Sequence, residues 1–192
     1  INKSNMKLKS LLVSSLLLLV LISTTKYHYR FNETRKFHEL ENTNIYKNSD
    51  TGDLHQSLKG NLWISPFYKD DPKNELDMLK KIKEDFDKKN NNIMLITHYL
   101  FLDSITKINL NSPSRTHTLD GASIPTNDNE HFNYYKSFFK NKIIKKKIEE
   151  IYFIKSEKIS TKIFTDLVEQ KCYSKFENEI YIFFVIRREC ID

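Results

Sequence analysis

Between Lys9 and Lys26 the sequence carries no charged residue, and from Leu11 to Ile22 it is almost entirely aliphatic. A run of this kind leaves a chain few fates. A spanning helix wants about 20 apolar residues and tolerates about 17. The uncharged window sits at the short end of that range, and snorkelling by Lys9 and Lys26 lengthens it. Lys26-Tyr27-His28-Tyr29-Arg30 follows, aromatic and basic residues suited to the interfacial belt of a membrane. The rival is a secretory signal beginning at Met6, with Met6-Lys7-Leu8-Lys9 as its basic start and an apolar core of fitting length. Ile22 to Thr25 offers no Ala-x-Ala-like cleavage site, however, and five residues precede Met6. An uncleaved helix is therefore favoured. A buried core helix is the third option, disfavoured because so unbroken a Leu/Val run does not suit a domain this polar. Charge bias does not orient the segment: Lys3, Lys7 and Lys9 stand on one side, and Lys26, Arg30, Arg35 and Lys36 on the other. Because the numbering opens on Ile1 and not on methionine, the chain is expected to be a fragment of something longer.

Roughly the first 25 residues are membrane or flank, which leaves about 165 for one ordinary domain with a real core. The division expected is 1–25 as transmembrane helix and flank, 26–56 as juxtamembrane linker, and 57–192 as a soluble domain. The net charge of +6 invites nucleic acid or anionic lipid as a partner. Lysine enrichment by nucleotide bias explains it as well, since Asn and Ile are abundant and Ala122 is the single alanine.

From Ser57 onward, strand-like and helix-like stretches alternate. Leu62-Trp63-Ile64 is a short β-rich run ended by Pro66. Pro72 and Asn74 open a helix whose Leu76, Leu79, Ile82, Lys83 and Phe86 follow helical spacing, until Asn90 to Asn92 break it. Ile93–Ile96 and Ile151–Ile154 are continuous apolar runs, the pattern of strands buried on both faces. Phe101 to Ile108 suggests a short helix. The polar stretch from Asn109 to Glu130 is long for a loop, hence functional or partly disordered. Phe132, Tyr135, Phe138, Phe139 and Ile143 then make one helical face, with Lys136, Lys140 and Lys147 off it. Thr161 to Cys172 reads as another amphipathic helix and Ile180 to Ile186 as the last strand, antiparallel at an edge. The expected fold class is α/β: an N-terminal transmembrane helix, then a Rossmann-like three-layer domain with a mostly parallel sheet.

The motifs of nucleotide chemistry are missing. Of the three glycines, Gly52, Gly60 and Gly121, none lies in a strand-to-helix turn, where a dinucleotide fingerprint or phosphate-cradling loop needs them clustered. There is no Gly-x-Ser-x-Gly elbow and no Cys-x-x-Cys, and the histidines are too scattered for a metal site. No cofactor is expected. One place stands out. Thr97-His98-Tyr99 directly follows a buried strand, and ligands of open α/β sheets bind beyond the carboxyl ends of strands. With Arg115 from the Ser112-Pro113-Ser114-Arg115 turn, His98 and Tyr99 would make an anion or sugar site. The plainer reading, preferred here, has Thr97 and His98 capping the next helix and bonding to backbone. Lys145-Lys146-Lys147, with Lys140 and Lys142, lacks the same-face aromatics that single-strand binding wants. A solvated helix end is favoured over nucleic acid, and lipid headgroups are the better anionic partner if the domain lies near a bilayer.

Several stretches together carry a resemblance. They are Lys26 to Glu33 with Arg35 to Leu40, Leu58-Lys59-Gly60, Trp63-Ile64-Ser65-Pro66, Met94 to Thr97, Ser112 to Arg115, and Tyr134 to Phe139. The chain resembles the C-terminal end of a group of bacterial polytopic inner-membrane proteins similar to the GT-C glycosyltransferases, which use lipid-linked sugars. The resemblance implies that Leu11–Ile22 is the last of many membrane helices and that the soluble domain faces the periplasm. Catalytic carboxylates of such enzymes lie in loops between early helices, so it carries no catalytic residue onto this chain. Lipid-linked sugar or a glycan acceptor would be met through the parent protein.

Two functions are weighed. The first is a non-catalytic extracytoplasmic domain of a membrane glycosyltransferase-like protein. The second is a single-pass, membrane-anchored α/β protein that binds a ligand or partner. Cys172 and Cys190 bear on the compartment. Cys172 ends an expected helix and Cys190 lies just past the last strand, so the two ends can meet. In an oxidising periplasm they would pair; otherwise they are two unrelated thiols. The bridge is favoured.

Overall fold

The computed structural model describes residues 3–29, 44, 46–65, 67–114 and 123–190. The chain divides into two compact units, residues 1–78 and 79–192.

The first unit opens with helix α1, Lys3–His28. Its segment Leu8–His28, 21 residues, is long and apolar enough to cross a membrane. At 1.5 Å per residue this is about 30 Å, the thickness of a hydrocarbon core. Every residue from Leu8 to Tyr29 is exposed, which removes the core-helix option. Three hydroxyls inside the segment bond to the helix's own carbonyls. Ser15 donates to the Leu11 carbonyl at 2.9 Å, Thr24 to Val20 at 2.8 Å and Thr25 to Leu21 at 2.8 Å. Each bond runs one turn back along the helix, so these three hydroxyls find a partner within it.

The same unit holds an antiparallel ribbon of β1, Ser49–Asp50, and β2, Leu62–Trp63. Buried Thr51 ties the loop between them: its N–H donates to Asn61 O at 3.1 Å and its hydroxyl to Leu58 O at 2.6 Å. Gly60 closes that loop at φ +87°, a conformation that side chains resist. Ser65, fully buried, accepts the N–H of Phe67 at 3.1 Å and of Tyr68 at 2.7 Å. Helix α2, Pro72–Asp87, begins with proline at its first position, where the missing N–H costs nothing.

The second unit starts within α2 and is built on one sheet. Its strands are β3, Ile93–Ile96; β4, Glu150–Ile154; β5, Tyr173–Glu177; and β6, Tyr181–Ile186. They lie in the order β3-β4-β6-β5. Between them come α3, Leu102–Ile105, α4, Phe132–Lys146, and α5, Lys162–Thr165. Met94, Ile96, Ile151, Phe153, Phe184 and Ile186 pack on one face with Phe139 and Ile143 of α4 and Phe164 of α5. On the other face Phe86 of α2 meets Tyr152 at 5.2 Å and Tyr181 at 5.6 Å between ring centroids. The arrangement is helix, sheet, helix. Both runs read as doubly buried strands are so: Ile93–Ile96 and Ile151–Ile154 are each at most 3 % exposed.

The expected mostly parallel sheet is met in one pair only. β3 and β4 are parallel, whereas β4–β6 and β6–β5 are antiparallel. The last strand, expected antiparallel at an edge, is antiparallel but interior, because Tyr173–Glu177, a stretch with no expected element, forms the edge strand β5 beside it. Asn178 makes the hairpin turn, its side chain accepting the N–H of Ile180 at 3.0 Å and of Tyr181 at 2.7 Å. The helix expected over Thr161 to Cys172 contracts to α5 and a 3-10 turn, Gln170–Cys172. Phe164 and Leu167 still bury at helical spacing, but a single turn suffices to place both. Leu110 lines the outer edge of β3, its carbonyl accepting from Leu95 N at 2.8 Å. Thus β3 is buried although it ends the sheet.

Candidate functional site at the strand ends

The parallel pair β3–β4 brings two carboxyl-terminal ends side by side, the place where open α/β sheets bind ligands. Thr97 and His98 leave β3 there. The turn Lys155–Glu157 leaves β4. Glu157 is 3 % exposed and Thr97 2 %. The Thr97 hydroxyl donates to Glu157 Oε2 at 2.7 Å, and the His98 N–H donates to Glu157 Oε1 at 2.5 Å. Thr97 Oγ1 in turn accepts the Tyr99 N–H at 2.9 Å. One buried carboxyl group therefore binds both strand ends, its two oxygens each accepting a hydrogen bond. Sequence reasoning placed Thr97, His98 and Tyr99 here and missed Glu157. The signal available was positional: it lies three residues past a buried strand that runs parallel to β3.

The Ser112-Pro113-Ser114 turn carries its own hydrogen bond, from Ser112 Oγ to Ser114 O at 2.9 Å. Among the described residues a cation reaches it from Lys142 of α4, whose amine donates to the Ser112 carbonyl. Burial lowers the pKa of that amine, Lys146 pushes the same way, and Asp103 opposes them. Asp103 itself accepts the Leu110 N–H at 2.5 Å, which fixes the path of the chain into the turn. Arg115 lies outside the described residues.

Two further polar groups escaped the sequence. Glu150 Oε2 accepts from Lys89 Nζ at 2.7 Å and from the Tyr152 hydroxyl at 2.5 Å. Burial drives the Glu150 carboxyl up, but the hydrogen bonds from Lys89, Tyr152 and Asn91 outweigh it and hold the group below its usual range. Lys89 also sits over the Tyr152 ring, 4.9 Å from its centroid. Burial, reinforced by the hydrogen bond to Glu150, pushes the Tyr152 phenol far above its ordinary value. In the first unit, fully buried Glu75 accepts the Trp63 indole N–H at 2.5 Å, which ties β2 to the start of α2. No group of His, Cys, Asp and Glu among the described residues has the arrangement of a metal site.

Cys172 and Cys190 are joined by a disulfide with Cα atoms 5.7 Å apart. What brings them together is the β5–β6 hairpin, not a helix beside a strand. Cys172 immediately precedes β5, Cys190 follows β6, and Arg187 N donates to Cys172 O at 2.8 Å between them. The bond closes the open end of an edge hairpin, where pairing alone is weakest.

No family model matches the chain, and comparison with curated proteins and with solved structures returned no similar protein.

Proposed function

We propose that the chain is a non-catalytic, extracytoplasmic region of a membrane glycosyltransferase-like protein, held at the bacterial inner membrane by α1. Lipid-linked sugar or a glycan acceptor would be handled by the parent protein, with this region shielding or positioning it. The observation that carries the reading is the pairing of Cys172 with Cys190 in a chain bearing an exposed, membrane-length apolar helix. Disulfides persist on the oxidising side of a membrane and are rare on the reducing side. The polar groups at the strand ends support the non-catalytic part. Glu157 ties Thr97 and His98, at the end of β3, to the turn that leaves β4, an arrangement that suits a structural brace.

The test has two arms. Thiols are counted in protein denatured directly from membranes under alkylation, before and after reduction. None before and two after is the expected result; two before overturns the extracytoplasmic reading. The second arm sequences the gene upstream of Ile1. Several further hydrophobic helices in frame fit the proposal, whereas a start codon at Met6 with a stop just upstream replaces it with the single-pass binding protein.

A further inference from the structure

We propose that the outward face of α4 docks on the headgroup layer of an anionic phospholipid bilayer, the same bilayer that α1 enters. α4 turns Phe139 and Ile143 into the core and half-buries Phe132 and Tyr135. Its opposite side exposes Tyr134 at 80 %, Phe138 at 45 % and Ile144 at 37 %. Phe138 thus departs from the inward face that spacing alone assigned to it. At 100° per residue, Tyr134, Phe138, Asn141 and Lys145 form one stripe, with Ile144 beside it. Lys142 and Lys146 lie on one side of that stripe; the other side carries Ser137 and Ile144 with Lys140 beyond them, and Lys136 falls on the core side of the helix. Exposed aromatic rings among lysines suit a helix that touches a membrane interface. Tyr and Phe rings sit at headgroup depth there, and lysines reach lipid phosphates.

Charge complementarity commits the face to an anionic surface. Residues Phe132–Lys146 contain no Asp or Glu. Among the described residues, Lys145, Lys146 and Lys147 lie within 4.0 Å of no carboxylate. The carboxylates that face the helix include Glu130 before it, Glu149 after it, Glu169, whose charge is felt by Lys136 and Lys140, and Asp103, whose charge is felt by Lys142. Glu169 and Asp103 offset those three lysines and leave Lys145, Lys146 and Lys147 uncompensated. Exposed Ile144 to one side of the strip favours an acyl boundary over a nucleic-acid strand, which offers an aliphatic side chain nothing. The proposal rests on α1 as the anchor, which keeps the α4 face at high effective concentration over the bilayer.

The full chain is reconstituted in nanodiscs of phosphatidylcholine alone, or with a third phosphatidylglycerol, with acyl chains brominated or plain. The probe is Tyr134→Trp, read as the difference from wild type so that Trp63 cancels; Ser137→Trp, also exposed, is the second probe. Expected is a blue shift and bromine quenching at both probes in phosphatidylglycerol discs, absent from neutral discs and reversed by high salt. K145Q/K146Q/K147Q abolishes the response, because each lysine near the surface weighs roughly fivefold in the docked ratio, on the order of 100-fold together. Equal quenching in neutral discs, or none in either, overturns the proposal. So does quenching of the probes by a single-stranded oligonucleotide in place of the bilayer. A chain that fails to remain with neutral discs overturns the anchor, a result distinct from the response of the probes, and the proposal with it.

Discussion

Replacing Glu157 removes the acceptor that holds the ends of β3 and β4. In Glu157→Ala the Thr97 hydroxyl and the His98 N–H, now at 2.7 and 2.5 Å from the carboxylate, lose their partner inside a region where Thr97 is 2 % exposed. Each orphaned donor costs about 1–3 kcal/mol, so the variant is predicted to lose about 4 kcal/mol. Glu157→Gln is gentler. Its carbonyl keeps the His98 N–H, and its amide donates to Thr97 Oγ1, leaving one hydroxyl proton over at a cost of about 1–2 kcal/mol. Thr97→Val strands the Tyr99 N–H, which bonds Thr97 Oγ1 at 2.9 Å, and falls between the two. Urea unfolding of the detergent-solubilised chain, followed by far-ultraviolet circular dichroism, gives the three midpoints. A domain of this size has about 5–15 kcal/mol in hand, so the alanine variant is near the edge of folding and the glutamine variant supplies the graded reading. Three variants within about 0.5 kcal/mol of wild type, the ordinary scatter of surface changes, would refute the brace.

Other outcomes follow from the same packing. The Tyr135 hydroxyl is buried without a partner among the described residues, and burial raises its pKa to about 12. Tyr135→Phe should therefore be neutral or stabilising by about 1 kcal/mol, and a clear loss in the unfolding midpoint would contradict this. The Glu150 carboxyl is depressed because hydrogen bonds outweigh burial, so its contribution is complete above the ordinary glutamate range and disappears as pH falls through the depressed value. Stability measured from pH 3 to pH 6 should rise less steeply in Glu150→Gln than in wild type, about the glutamate range near pH 4.3; equal slopes would show that the group is not linked to folding. Reducing the Cys172–Cys190 bond, which spans 18 residues, should lower stability by about 3 kcal/mol on the chain-entropy account. An unchanged midpoint in Cys172→Ser/Cys190→Ser would count against it.

Apolar continuity was legible. Ile93–Ile96 and Ile151–Ile154 announced themselves as buried strands because residues buried on both sheet faces need no alternation, and α1 did so by sheer length. β5 was not legible, because Tyr173–Glu177 is an edge strand that sets Lys175 and Glu177 on the same face as Tyr173, with Ser174 and Phe176 on the other. Such charges protect an edge and erase its pattern. With β5 unseen, β6 looked like the edge of the sheet. At the strand ends the residues following β3 were found by the general rule for α/β sheets. Glu157 was not, since a single acid in a polar stretch carries no period. Likewise Phe138 fits the inward spacing of α4 yet lies outward, because its neighbour Phe139 already fills the core position with no exposed surface.

The central claim is that α1 crosses the membrane and leaves the folded region on its outer side. Its most direct test is protease access in sealed spheroplasts of a bacterial host expressing the chain with its native upstream sequence. Added protease should remove an epitope tag placed after Asp192 while a cytoplasmic marker enzyme stays intact, and α1 should survive as a membrane-protected fragment. A tag that resists digestion until the spheroplasts are lysed would place the domain inside the cell and contradict the account.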